Sequence, residues 1–217
     1  MKLDTCLVLM FKAPQRSKRR LAAKLGAPAQ IAAAHLLECA IDDLSAWPGP
    51  ACLAPAEAAD AEYARARGYS AQLCVLQGDG NLGERIERVN ASLHAAGHES
   101  QIFIGIDCPG LDADYLRRAA DALIENDVVL GPAHDGGVVL MGVRGVWPPL
   151  AGLPWSSAGL GAALQAACAQ TSRSVAHLEA LRDVDELTDL DDLPERIGND
   201  PRPSRQRLRE WILTERQ

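Results

Sequence analysis

No window of the 217-residue chain approaches the ~20 consecutive apolar residues of a membrane-spanning helix, which excludes an α-helical membrane protein. Residues 1–11 are too few and too soon followed by charges for a signal peptide, so a cytoplasmic protein is expected. CxxC pairs are absent as well. The six cysteines, at positions 6, 39, 52, 74, 108 and 168, are scattered, which points to reduced, mostly buried thiols rather than a disulfide frame or a zinc site. His94 and His98 are spaced to share a helix face, but no further ligand type lies near them, and a solvated helix end beside Gly97 is expected. Excess positive charge is lacking too. With a formal net charge of -7 the chain offers no nucleic-acid surface, which needs clustered Lys and Arg, and any nucleotide bound should be small and metal-escorted. There is no internal repeat and no low-complexity tract.

What is present suits a packed domain: hydrophobic residues make up 47% and charged residues 24%, a globular balance, and the length suits one core. We read one domain over residues 1–200 and a C-terminal helical extension over residues 201–217. Residues 5–11 form a continuous apolar run with branched and aromatic members, the signature of a strand buried on both faces. Residues 28–44 follow with helical spacing, then a strand over 51–54, a helix over 60–67 stopped by Gly68, and a strand over 71–76. Asn81 is positioned to cap a helix ending at Gly97, and residues 101–106 form the next core strand. Asp112 caps another helix, residues 127–130 and 138–143 are strands, and a helix starts at Ser156 or Ser157 and runs to about Thr171. A short strand over 174–178, a helix over 187–197 and a charged C-terminal helix holding Leu208, Trp211 and Ile212 complete the chain. Such alternation implies a mostly parallel sheet with helices on both faces, in which ligands sit outside the carboxyl ends of the strands.

Four strand ends carry unusual chemistry. Lys12, Arg16, Lys18, Arg19 and Arg20 leave the first strand together, a local positive patch suited to anion capture, or else a solvated basic loop. Asp107 ends the strand that precedes Cys108–Pro109–Gly110, where a rigid carboxylate suits Mg²⁺, although Asp before Pro is also an ordinary turn. Asp183 and Asp185 flank Val184 in extended alternation and so point to one side, where either completes a metal pair; Asp189, Asp191 and Asp192 need only a helix dipole as explanation. Gly136 and Gly137 follow His134 and Asp135, permitting close ligand approach or simply a hairpin turn.

The ordered motifs LVLMFKAP, KRRLA, NLGERI, IGIDCPGL, DVVLGPAHDGG, LPWSS and DVDELTDLDDL resemble a bacterial family labelled glycosyltransferase A or selenodomain-associated transferase, within the nucleotide-diphospho-sugar transferase superfamily. The resemblance covers residues 5–193 and implies a Rossmann-like, three-layer α/β/α domain of the GT-A type. It implies a nucleoside triphosphate or nucleotide sugar bound with Mg²⁺ or Mn²⁺, and a small-molecule acceptor. By position, Asp107 and Asp185 resemble the metal carboxylates, and Lys12, Lys18 and Arg20 the phosphate-binding cations. Asp135–Gly136–Gly137 and Trp155–Ser156–Ser157 resemble the segments lining the acceptor side. In this scheme Lys18, Arg20 and Asp135 act in catalysis, and Lys12, Lys18, Arg20, Gly136 and Gly137 bind the nucleotide. Residues 15–17 are about two residues shorter than the family loop and lack its Gly, Arg19 replaces a Thr, Val138 stands where a Tyr is usual, and Asn81 where an Asp is usual. The expected function is metal-dependent nucleotidyl or glycosyl transfer; the shortened loop suggests as alternative a binding or interaction module that keeps the fold without turnover.

Overall fold

In a computed structural model, which describes residues 3–17 and 28–215, strand β1 (Cys6–Phe11) lies near the middle of a seven-stranded sheet. Its alternation decides the architecture. Leu7, Leu9 and Phe11 face one core, shared with helices α1 (Pro28–Ala46), α2 (Ala58–Ala66) and α4 (Ala113–Glu125). Cys6 and Val8 face the other core, which holds apolar residues of α3 (Leu82–Ala95) and α5 (Leu160–Gln170). A strand buried on both sides must be apolar throughout, which is why this segment reads as a continuous run.

The remaining strands are β2 (Ala51–Pro55), β3 (Leu73–Cys74), β4 (Ser100–Ile104), β5 (Val128–Pro132), β6 (Val138–Arg144) and β7 (Val175–His177), in the order β3-β2-β1-β4-β6-β5-β7. Pairings β1–β2, β1–β4, β2–β3 and β5–β7 are parallel, whereas β6 runs antiparallel to both neighbours. The expected mostly parallel α/β sheet is therefore present, with β5 and β6 joined as a hairpin.

Local signals fixed several boundaries. Asn81 caps α3 by accepting the Glu84 N–H at 3.1 Å, and Asp112 caps α4 by accepting the Tyr115 N–H at 2.7 Å. Gly68 and Gly97 take positive φ where α2 and α3 end. Three expectations need correction. The strand expected over 71–76 is regular only at Leu73–Cys74, although Val75 and Gln77 still donate to the carbonyls of Leu53 and Pro55. The helix expected from Ser156 or Ser157 begins at Leu160, because Ser156 has φ of 62° and the Ser157 hydroxyl donates back to Pro154. The segment 187–197 is a 3-10 turn (Leu187–Leu190) followed by a short helix α6 (Leu193–Arg196), whose first turn tolerates Pro194. The cysteines are free thiols, all buried but Cys74, and burial pushes those of Cys6, Cys52 and Cys108 up to about 12.

Helix α7 (Pro203–Glu215) forms a third apolar cluster with α1. Leu208 and Ile212 pack with Ala29, Ala32, Leu36 and Leu193, and the same cluster contains Val184.

Candidate functional site

Strands β1 and β4 run parallel, so their carboxyl ends open on one edge of the sheet, where the β5–β6 turn and the segment after β7 also arrive. Between them lies a cavity of about 740 Å³. Lys12 and Arg16 enter it from the end of β1, Asp107 from the end of β4, Asp135 and Gly137 from the hairpin, and Asp183 and Asp185 from beyond β7. Met10, Phe103, Met141, Ile86 and Trp155 give the cavity an apolar side. The Trp155 indole N–H donates to the Leu150 carbonyl at 2.9 Å, so its one polar group is satisfied by the backbone.

The carboxylates are carried by segments tied to one another. Leu181 N–H donates to Pro132, His134 N–H donates to Leu181, and Val184 N–H donates to the Asp107 carbonyl at 2.7 Å. Val184 is fully buried, so its neighbours Asp183 and Asp185 are turned to the cavity, as extended alternation requires. The backbone N–H groups of Asp185 and Glu186 both bond the Asp189 carboxylate, at 2.9 and 2.6 Å, which shapes the turn beyond them. Burial, then the charges of Asp135 and Asp185, with a contribution from Asp107, push the Asp183 carboxyl up to about 6. Asp107, Asp135, Asp183 and Asp185 line the same cavity.

Asp107, Asp185, Asp135, Gly137 and Lys12, all singled out from the sequence, thus meet at this cavity. Lys18 and Arg20 lie outside the described residues. Gly136 stands behind the wall rather than in it: its φ is 91°, a Cβ there would come within 2.2 Å of the Ala158 carbonyl oxygen, and its own carbonyl accepts the Gly161 N–H at 3.1 Å. Gly137 N–H donates to Asp135 Oδ1 at 2.9 Å, which fixes that carboxylate. Sequence reasoning treated Asp183 and Asp185 as alternatives, yet both face the cavity. It missed the fate of Arg16, whose guanidinium pairs with Glu57 and, at 2.5 Å, with the fully buried Asp60. Asp60 also accepts the N–H groups of Ala13 and Glu57, so this ion pair ties the loop after β1 to the start of α2. Asn81, unusual by the family pattern, uses its Nδ2 to donate to the Ala151 carbonyl at 2.8 Å, a bond an Asp could not make.

Among the described residues no three His, Cys, Asp or Glu side chains are grouped to hold a metal ion by themselves. One or two carboxylates suit a hard cation only where phosphate oxygens and water complete its shell. The four carboxylates that line the cavity would offer such an ion charge of opposite sign.

Solved structures share this architecture. A protein of Desulfovibrio desulfuricans G20, provisionally assigned as a nucleotide-diphospho-sugar transferase, is similar over 99% of this chain and 98% of its own, with 24% identity and a TM-score of 0.85. A CMP:2-keto-3-deoxy-manno-octonic acid synthetase complexed with CTP matches 90% of this chain and 99% of its own at 12% identity and a TM-score of 0.57. A cytidylyltransferase from Leptospira borgpetersenii serovar Hardjo-bovis matches 98% and 94% at 13% identity and a TM-score of 0.54. At these identities the likeness is one of fold. No curated protein matches the chain. A family model does match, over residues 40–157 and so over more than half of the sequence, and the chain belongs to that family, DUF2064, described as uncharacterized proteins conserved in bacteria.

Proposed function

We propose that this chain is a divalent-metal-dependent transferase that takes a nucleoside triphosphate or nucleotide sugar and passes a nucleotidyl or glycosyl group to a small acceptor. The observation that carries this reading is the convergence of Asp107, Asp135, Asp183 and Asp185 on one cavity at the carboxyl edge of the sheet, with Lys12 on the same rim. Carboxylates and a cation lining one cavity match a polyphosphate escorted by a divalent ion, since each half of the ligand meets its opposite charge. Likeness of fold to a synthetase holding CTP and to a cytidylyltransferase supports the nucleotide half. Within this reading the chain is one of the glycosyltransferase A or selenodomain-associated transferases that its motifs resemble.

Mg²⁺ or Mn²⁺, when bound, would neutralise phosphate oxygens and polarise the centre under attack. Asp107 and Asp185 are the residues that would hold it. Lys12, with Lys18 and Arg20 further along the loop, offsets the charge that gathers on the departing pyrophosphate or nucleotide. Asp135, its Oδ1 fixed by the Gly137 N–H, receives the acceptor's hydroxyl proton as that oxygen bonds to phosphorus or to the anomeric carbon. The leaving-group oxygen departs with the electron pair of the broken bond. No protein nucleophile is required, because the acceptor attacks.

A panel of nucleoside triphosphates and sugar nucleotides, with and without Mn²⁺, tests the reading through thermal unfolding. At least one nucleotide should raise the midpoint in a Mn²⁺-dependent manner and release pyrophosphate or nucleotide when acceptors are supplied. A midpoint that no nucleotide moves overturns the reading, and binding without release favours a module that keeps the fold without turnover.

A further inference from the structure

Arg205, on α7, is fully buried, which is a costly place for a guanidinium unless its bonds are needed. Leu208 and Ile212 pack that helix on α1, and two of the Arg205 bonds, to Asp43 and Cys39, reach α1 as well. Two further bonds of Arg205 leave α1 for the carbonyls of Pro109 and Leu111. Its Nη2 meets the buried Asp43 carboxylate at 2.6 Å and the Leu111 carbonyl at 3.3 Å, its Nε donates to the Pro109 carbonyl at 3.2 Å, and its Nη1 donates to the Cys39 carbonyl at 2.5 Å. Arg202 holds the other oxygen of Asp43 at 2.5 Å and donates to Leu111 at 2.8 Å.

Pro109 and Leu111 belong to the turn that follows Asp107. That turn lies past the end of β4, and no sheet ladder holds its carbonyls. We propose that Arg205 is a positioning residue for the candidate site: with Asp43 as its counter-ion and Arg202 as its partner, it anchors residues 109–111 and so sets the place of the Asp107 carboxylate. Val184 completes the link, because it donates to the Asp107 carbonyl while buried in the same cluster as Leu208. The C-terminal helix is thereby part of the scaffold on which both acidic segments rest. A planar fork that reaches Asp43 and two turn carbonyls at once has no substitute in a lysine, whose single ammonium is a point charge.

The consequence for metal binding rests on the function proposed above; the anchoring of the turn does not. Arg205→Lys, compared with wild type and with Leu93→Ala, a core truncation on the other face of the sheet, separates positioning from general loss of stability. Hydrogen–deuterium exchange at the Leu111 and Val184 amides should accelerate about tenfold or more in Arg205→Lys, and much less in Leu93→Ala, on the scale of one lost charge-assisted hydrogen bond. Titration with Mn²⁺ alone, followed by electron paramagnetic resonance, should give affinity reduced about 10–100-fold in Arg205→Lys and little changed in Leu93→Ala. Arg202→Lys, which touches the same turn from a more exposed position, serves if Arg205→Lys does not fold. Unchanged exchange at Leu111 and Val184, or equal acceleration in Leu93→Ala, overturns the proposal. Wild type that binds no Mn²⁺ overturns the metal reading instead, and the exchange data still decide the role of Arg205.

Discussion

Gly136 and Ala158 meet backbone to backbone: the hairpin between β5 and β6 presses on the loop before α5 so closely that a Cβ on Gly136 would lie 2.2 Å from the Ala158 carbonyl oxygen. Gly136 also has φ of 91°, so Ala there suffers both strain and overlap. Gly145 is the natural control, with φ of 84° and nothing within 4 Å of the point a Cβ would occupy, so Gly145→Ala carries the φ cost alone, about 1–2 kcal/mol. Gly136→Ala should cost clearly more. Since about 1 kcal/mol shifts the midpoint by ~2–4 °C at this size, the excess is readable in thermal unfolding of the two variants. Equal losses would mean that the loop before α5 moves away freely.

At the opposite edge of the sheet, Asp127 clamps the starts of β5 and β7. It accepts the Ser174 N–H at 3.0 Å and the Ser174 hydroxyl at 2.8 Å, and it pairs with Arg144 at 3.1 Å. These bonds, those of Ser174 foremost, hold its carboxyl down to about 2. A folded pKa below the unfolded one stabilises the fold above the ordinary carboxylate range near pH ~3.9, and the stabilisation is lost as pH falls through that range toward 2. Asp127→Asn should therefore narrow its stability gap from wild type as pH is lowered from 5 to about 2. Chemical denaturation across that interval measures the gap, and a constant gap would falsify the linkage.

Local features of this fold were readable because their causes are local. Residues 5–11 are apolar throughout since both faces of β1 are covered, and Asn81 and Asp112 satisfy amides three positions away. The antiparallel course of β6 was encoded less directly: its apolar pattern is the same in either direction, and only the shortness of residues 133–137 excludes a parallel crossover. At the candidate site, Asp135 was named through the family resemblance, whereas strand-end logic pointed to Asp107, to the Gly136–Gly137 turn and to the pair Asp183 and Asp185. It could not choose between the last two because alternation turns both to the cavity. The partners of Arg16 and Arg205 were beyond reach, since Glu57, Asp60 and Asp43 come to them from distant parts of the sequence.

Crowding of like charge predicts a crossover between stability and ligand response. Asp183→Asn removes one charge from beside Asp135, Asp185 and Asp107, so the ligand-free protein should unfold at a higher temperature than wild type. On the proposed function, the same change should shrink the midpoint rise that Mn²⁺ and a nucleotide produce, a rise expected to be worth about 2.7 kcal/mol in wild type at ~100 times the dissociation constant. Asp107→Ala should abolish the metal-dependent part of that rise. Scanning calorimetry of the three proteins with and without ligand measures both halves, and a lower ligand-free midpoint in Asp183→Asn counts against the crowding.

The two described cations at the end of β1 should behave in opposite ways. Arg16 is committed to Glu57 and to the fully buried Asp60, so Arg16→Ala leaves a buried carboxylate with only its two backbone donors. A loss of about 1–3 kcal/mol in unfolding free energy is expected. Lys12 is exposed on the cavity rim, and Lys12→Ala should leave stability within about 0.5 kcal/mol of wild type. On the proposed function its effect belongs to the ligand: loss of one charge-assisted contact of about 1.5–3 kcal/mol should make triphosphate binding roughly tenfold or more weaker, while a nucleoside without phosphates should bind as in wild type. Arg20→Ala should share the behaviour of Lys12→Ala, because without a Gly among residues 15–17 the loop has little freedom to bend its amides around phosphate and must rely on side chains. Titration of each variant with a nucleoside and its triphosphate, beside urea unfolding, separates the two roles. Equal losses for both ligands in Lys12→Ala and Arg20→Ala would remove the phosphate role from this loop, and an unchanged unfolding free energy in Arg16→Ala would remove the structural one from Arg16.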